Sequence, residues 1–250
     1  MSAPHGETTW RAFTVTNPAP IRLTLPIGEA ARRALMSVVR RHVASDDEMP
    51  AQLIGRRRGA PASGHSHLRF LPCDLDGDSQ IDTILIAAIG PFHSAVLAGL
   101  AELQRVRVNR ALELALAPTE VPAQLLTPSS TFASTTPYVC PRYPKLKRGM
   151  PQRDASGVWQ HGPEQQLRYL LEQNHHPTML PLSAEDVRFG VWADGRLTPW
   201  HEFVIERRHG GGRRGLPHGF GWRLTFSRPI QGPLSSGYAS HFGLGQFHPV

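Results

Sequence analysis

The stretch Gly64-His65-Ser66-His67-Leu68-Arg69-Phe70-Leu71 decides the fold. Polar and apolar residues alternate along it, the period of a half-buried strand. Residues 72–80 follow as a turn rich in Asp, and residues 81–88 are an apolar run suited to a central strand. Together they make a hairpin. Upstream, residues 28–43 read as a helix with Ala31, Leu35, Val38, Val39 and His42 on one face, which turns Arg32, Arg33, Arg40 and Arg41 toward solvent. Residues 21–25 alternate and predict the first strand. Downstream, Val96, Leu97, Leu100 and Leu103 give a helix over 92–106, and residues 111–116 one more strand. The order strand, helix, strand, strand, helix, strand is ferredoxin-like: two helices cover one face of a four-stranded antiparallel sheet and leave the other face open.

After a Pro-containing link at 118–128 the pattern begins again. Residues 131–139 read as a strand, and Pro163 opens a helix that turns Leu167, Leu170 and Leu171 inward. Residues 187–192 and 200–207 flank the turn-like Ala193-Asp194-Gly195-Arg196, and Trp222, Leu224 and Phe226 alternate in a following strand. The expected fold class is therefore α+β: two tandem ferredoxin-like (RRM-like) domains with antiparallel sheets and a C-terminal Gly-rich loop. Residues 1–17 are expected to form an N-terminal extension, with a short strand at 10–16. The first domain is expected over 18–120 and the second over 121–250.

The 250 residues carry 27 Lys and Arg against 20 Asp and Glu, a formal charge of +7 that favours a polyanionic partner. The charge is clustered. Arg56, Arg57 and Arg58 form one run, Lys145, Lys147 and Arg148 a second, and Arg207, Arg208, Arg213 and Arg214 a third, each beside Gly or Pro and so expected in loops. Cys73 and Cys140, the two cysteines, are far apart and in no CxxC spacing, which excludes a zinc-finger signature and a disulfide framework. The longest apolar run is too short to span a bilayer and the N-terminus does not read as a signal peptide, so no membrane partner and a cytoplasmic location are expected. No Walker loop, dinucleotide fingerprint, GxSxG or HExxH is present, and no cofactor is expected.

Alternation places His65, His67 and Arg69 together on the open face of the sheet, with Leu68 and Phe70 on the covered one. Imidazoles two residues apart on a strand are separated by roughly 6–7 Å. Such a pair can bracket a phosphodiester as general base and general acid, because an ordinary imidazole titrates near neutrality. The same spacing also suits an inert base-stacking surface or two metal ligands, and locally both of those readings rank ahead of acid/base work. Asp74, Asp76, Asp78 and Asp82 resemble a calcium loop but depart from the EF-hand, with Gly77 at the fourth position and no Glu at the twelfth. A self-capping acidic turn is the favoured account and no metal is expected, with a cation bound in this loop as the weaker alternative. In the Gly-rich segment, Gly237, Gly243 and Gly245 can bring backbone amides close to phosphates, and His241 is placed to meet RNA.

Two segments together resemble a known family: residues 64–72 followed by Asp-Leu-Asp-Gly-Asp-Ser-Gln-Ile-Asp82, and the C-terminal Ser240-His-Phe-Gly-Leu-Gly-Gln-Phe247. They resemble the type I-G (formerly I-U) CRISPR proteins that fuse a Cascade backbone subunit to a repeat-RNA-processing endoribonuclease of the repeat-associated RNA-binding superfamily. The likeness is to the processing half, and no counterpart of the fused backbone-subunit domain is read in this sequence. Ser79 stands where a Gly commonly follows the Asp. The resemblance implies metal-independent cleavage of precursor CRISPR RNA within its repeats, giving 2',3'-cyclic phosphate and 5'-hydroxyl ends. On that basis His65 and His67 are the expected base and acid, in an order the sequence does not assign, and Arg69 or a loop Lys steadies the phosphorane. Repeat RNA and Cascade-type effector subunits are the expected partners. A non-catalytic repeat-RNA-binding subunit and a metal-dependent phosphoesterase are the competing readings.

Overall fold

The computed structural model describes residues 8–57, 60–61, 67–155, 157, 159–174, 176–181, 183, 187–208 and 214–250. The first half contains β1 (Thr8–Pro20), α1 (Thr24–Val39), the short α2 (Ala51–Ile54), β2 (Arg69–Cys73), β3 (Gln80–Ile89), α3 (Ser94–Glu102), β4 (Arg105–Arg107) and β5 (Glu113–Thr119). The sheet runs β2-β3-β1-β5-β4 with antiparallel neighbours. Apart from the edge strand β4, that is the expected ferredoxin-like order.

Two elements differ from the sequence reading. The alternation of residues 21–25 predicts a strand, but they form a 3-10 turn leading into α1, whereas most of the expected extension is the long central strand β1. The physical reason is the period of burial. Residues 24–31 are buried without a break and Ile21, Leu25 and Ile27 enter three different cores, which a helix enclosed on all sides allows and an alternating strand does not, while Phe13 and Val15 reach one face of the sheet and Trp10 and Ala12 the other.

The main core lies between α1, α3 and the sheet. Phe13, Ile84, Ile86 and Phe70 meet Leu35, Val39, Val96 and Leu100 there. Each such fully buried side chain contributes about 1.5–3 kcal/mol. The other sheet face, expected to be open, is covered: Ala12, Leu71, Cys73 and Leu85 pack with Leu125 of α4 (Ala123–Leu126). Leu71 and Leu85 have no exposed surface, so a single stranded ligand cannot lie across this part of the sheet. The open face fails because it carries leucines, which a second layer removes from water.

The second half is built on β6 (Ser129–Ser134), α5 (Pro163–Gln173), the hairpin β7 (Gly190–Ala193) with β8 (Arg196–Pro199), β9 (Arg223–Ile230), β10 (Leu234–Ser235) and β11 (Gln246–Pro249). Its sheet is β9-β6-β11-β10, again antiparallel, and bridges from Met179 and Ser183 extend it beyond β9. Leu167 and Leu171 of α5 close a core with Phe132, Leu224, Phe226 and Phe247. The expected strand over 131–139 is broken, because Tyr138 and Val139 leave to pair with Gly219 and Phe220. The molecule is thus α+β, with antiparallel sheets in two sheet-bearing halves.

Candidate functional site

The site begins with a glycine in a helix. A Cβ at Gly28 of α1 would lie 2.4 Å from the carbonyl oxygen of Phe242, so only glycine lets this helix touch that backbone. The element it touches is a 3-10 turn at Ser240–Phe242, entered through Ala239 (φ 56°) and left through Gly243 (φ 93°). Gly243 is itself confined, since a Cβ there would sit 2.6 Å from Thr24 Cγ2 and 2.8 Å from Pro72 Cδ. The turn is wedged between the start of α1 and the middle of β2.

On the other side of α1, Arg32 donates from Nε to Leu53 O (3.0 Å) and from Nη2 to Ile54 O (3.1 Å). These carbonyls end α2 and would otherwise be without helical partners. The helix stops at Gly55, which adopts the left-handed conformation at φ 74°. The His67 ring lies against that glycine, its Cε1 2.8 Å from where a Cβ would stand. It also meets His241. Their ring centroids are 5.4 Å apart with the planes at 79°. Two imidazoles from opposite ends of the chain therefore share one junction, held by α1 through Arg32 on one side and Gly28 on the other.

The junction is cationic. Glu29, 5% exposed, accepts from Arg207 Nε at 2.8 Å, and the Arg207 guanidinium lies 4.8 Å over the Phe242 ring. Burial, and then the neighbouring Arg207, lower the pKa of Arg32 from the ordinary arginine range, while Glu29 opposes them. Two guanidiniums face one carboxylate, so positive charge is left over for an anion.

Gln246 fastens the turn from below. Its Nε2 donates to Pro72 O (2.8 Å) and Gly243 O (3.0 Å), and its Oε1 accepts from the Cys73 thiol at 3.4 Å. His248 Nε2 lies 3.4 Å from the same oxygen, and burial brings this imidazole down to about 4. The Cys73 thiol is pushed well up by the same burial, with Asp82 and Asp74 adding to it.

No family model and no curated protein matches this chain. Among solved structures it is similar to a CRISPR associated protein Cas6, with 13% identity over 98% of this chain and 100% of that one and a TM-score of 0.44. An RAMP protein binding different RNA substrates has 12% identity, coverages of 97% and 99%, and a TM-score of 0.42. A Cas6-related protein from Pyrococcus furiosus has 10% identity, coverages of 98% and 99%, and a TM-score of 0.43. At that level of likeness none fixes the fold or the activity of this chain.

The expected site residues are distributed unevenly. His65, Arg58 and Arg213 lie outside the described residues, and Arg56 and Arg57 form a two-residue pairing with Ala60 and Pro61. His67 precedes β2 and joins His241, a contact with no local signature in the sequence. Arg69 turns instead into a separate cavity lined by Trp10 and His176, whose walls include neither His67 nor His241. Arg32, expected in solvent, is bound to α2, a four-residue helix that the Arg-rich connection conceals.

Lys145, Lys147 and Arg148 are exposed around a tight hairpin whose tip is Arg148 (φ 53°) and Gly149 (φ 79°). Arg208 is exposed too, whereas Arg214 pairs with Glu206 at 3.2 Å.

The Gly-rich loop departs from the phosphate-cradle expectation. The amides of Gly243 and Gly245 donate to Ser240 O (3.3 Å) and Pro137 O (2.9 Å), and a Cβ at Gly237 would press on Tyr138. These glycines are required by close packing, and the two amides are used within the protein. The acidic turn follows the self-capping account. Asp74 accepts from the amides of Gly77, Asp78 and Ser79, and Asp82 from that of Leu75. Carboxylate oxygens of Asp74, Asp76 and Asp78 do lie within 4.8 Å of one another. Among the described residues, no helix is long and apolar enough to cross a membrane.

Proposed function

We infer that this chain is an endoribonuclease that cuts precursor CRISPR RNA within its repeats by acid/base catalysis without a metal, and then holds the repeat-derived handle in a Cascade-type effector complex. The observation that carries the reading is the edge-on meeting of His67 and His241 in a cationic junction. The sequence resemblance joins the same two segments, residues 64–82 and 240–247.

In this reading one imidazole takes the proton of the 2'-hydroxyl as its oxygen attacks the adjacent phosphorus. The other, protonated, gives its proton to the departing 5'-oxygen, leaving a 2',3'-cyclic phosphate and a 5'-hydroxyl. Arg207, over the ring of Phe242 next to His241, and Arg32, bound to the end of α2 that precedes Gly55 and His67, supply the field that favours the extra negative charge of the phosphorane. His65, two residues before His67, is the third imidazole to test. Exposed Lys145, Lys147, Arg148 and Arg208 supply backbone contacts to the RNA.

Repeat RNA incubated with the full chain in EDTA tests the proposal. Cleavage that persists with chelator and stops with a 2'-deoxy nucleotide at the scissile position is expected. Binding without cleavage points instead to a repeat-RNA-holding subunit, and cleavage abolished by EDTA to a phosphoesterase using His67 and the acidic turn.

A further inference from the structure

Arg69, Ala87 and Trp10 stand side by side across β2, β3 and β1, since Arg69 and Trp10 both pair with Ala87. They share the sheet face turned away from α1 and α3. The small Ala87 between two large neighbours leaves a hollow, and Asn174, His176, Gln231 and Ser235 from the second half close it into a cavity of about 90 Å³.

The chemistry of the lining is one-sided. Arg69 has no carboxylate and no hydrogen-bond acceptor among the described residues, yet burial holds its guanidinium below the ordinary arginine range. Trp10 Nε1 and Ser235 Oγ are buried with no hydrogen-bond partner, and Ser235 is only 8% exposed. An indole N-H can only donate. Burial, reinforced by Arg69, brings His176 down to about 4, so at neutral pH it is uncharged and still offers one N-H. Among the described residues, no Asp or Glu is in the wall. Buried polar groups in folded proteins are normally satisfied, and an unpaired buried cation is costly. Two unsatisfied buried polar groups and a cation in one wall, beside Thr8, Asn174 and Gln231, call for an acceptor with several oxygens and negative charge.

We propose that this cavity is a second site, separate from the His67 and His241 junction, that binds one phosphate-sized oxoanion between Arg69, Trp10 and Ser235. The anion accepts from the guanidinium fork, the indole N-H and the hydroxyl together. Two sources carry that chemistry: a free anion such as inorganic phosphate, and a phosphate group of a nucleic acid strand. The site does not depend on the cleavage reading, because nothing in it touches the junction histidines.

Thermal unfolding of the full chain in inorganic phosphate, against chloride at equal ionic strength, is the test. Phosphate at about five times its dissociation constant is expected to raise the midpoint by roughly 2–4 °C. Ser235→Ala, which removes only a hydroxyl, is expected to weaken the effect, and Arg69→Met to abolish it while leaving the midpoint without phosphate equal or higher. No difference between phosphate and chloride overturns the proposal, as does a full shift that survives in both variants. Competition by 5'-phosphorylated and 5'-hydroxyl oligouridylate then identifies the source. Displacement of phosphate by the first alone assigns a terminal phosphate, by both an internal phosphodiester, and by neither the free anion.

Discussion

The two halves use the connection before their last core strand differently. In the first half, the chain leaving β3 folds into α3, which lays Val96 and Leu100 on its own sheet. In the second, the chain leaving β9 forms β10 and the Gly-rich turn, which packs against α1 and β2 of the other half. A helix in that position serves its own core. A loop can reach outward, and this one carries His241 to His67. The difference teaches that a repeated topology can spend one copy of an element on stability and the other on assembling a site.

The comparison is broken most directly at the histidines. His67→Ala and His241→Ala are each expected to lower single-turnover cleavage by about 10²–10⁴-fold with repeat binding retained, measured on labelled repeat RNA. Loss at His67 alone would place the second proton carrier elsewhere, with His65 the next variant. At the same junction, Arg207→Ala removes the hydrogen-bonded cation of buried Glu29, leaving it Arg32 and the Arg208 amide, and is expected to cost about 1.5–3 kcal/mol in denaturant unfolding. Arg208→Ala, one residue away and exposed, should change stability by no more than about 0.5 kcal/mol and act instead on the salt dependence of RNA binding.

Acid sharpens the contrast next. His248 titrates at about 4 in the folded chain against an ordinary 6.5, so the folded state binds fewer protons between those values. Its contribution, on the order of 3 kcal/mol, is complete above pH 6.5 and is lost as the pH falls toward 4. His176 shifts in the same direction, so His248→Gln is expected to flatten only part of the acid limb of a stability profile. Gly28→Ala forces a methyl onto the Phe242 carbonyl and should cost about 1–3 kcal/mol, while shifting His241 enough to slow cleavage. A small effect of opposite sign lies in the acidic turn. Ser79 holds φ 68°, and Ser79→Gly is expected to stabilise by about 0.5–1 kcal/mol in the same unfolding assay.

Much of the first half is legible in the sequence because its strands and helices repeat at different periods. Leu68 and Phe70 alternate with His67 and Arg69, whereas Leu35 and Val39 recur at the fourth residue. Residues 21–25 were misread as a strand because five residues are too few to separate those periods. Thr8–Pro20 was undervalued because its outward residues and the irregularity between Thr14 and Ala19 hide the alternation of Trp10, Ala12, Phe13 and Val15. At the site, the sequence singles out His67 and His241 separately but carries no mark of their contact, which depends on Gly28 and Gly55 being bare. The acidic turn was readable for the opposite reason: its hydrogen bonds run between near neighbours, as at Asp74 with Gly77 and Ser79.

The meeting of His67 and His241 has a consequence in time. A ribosome makes His67 early and must add nearly the whole second half before His241 emerges. Until then the growing chain carries half of the pair, so a cleavage centre built on the two imidazoles, as proposed above, is incomplete throughout most of synthesis. Under that reading the centre is completed only when the final turn docks onto α1 and β2.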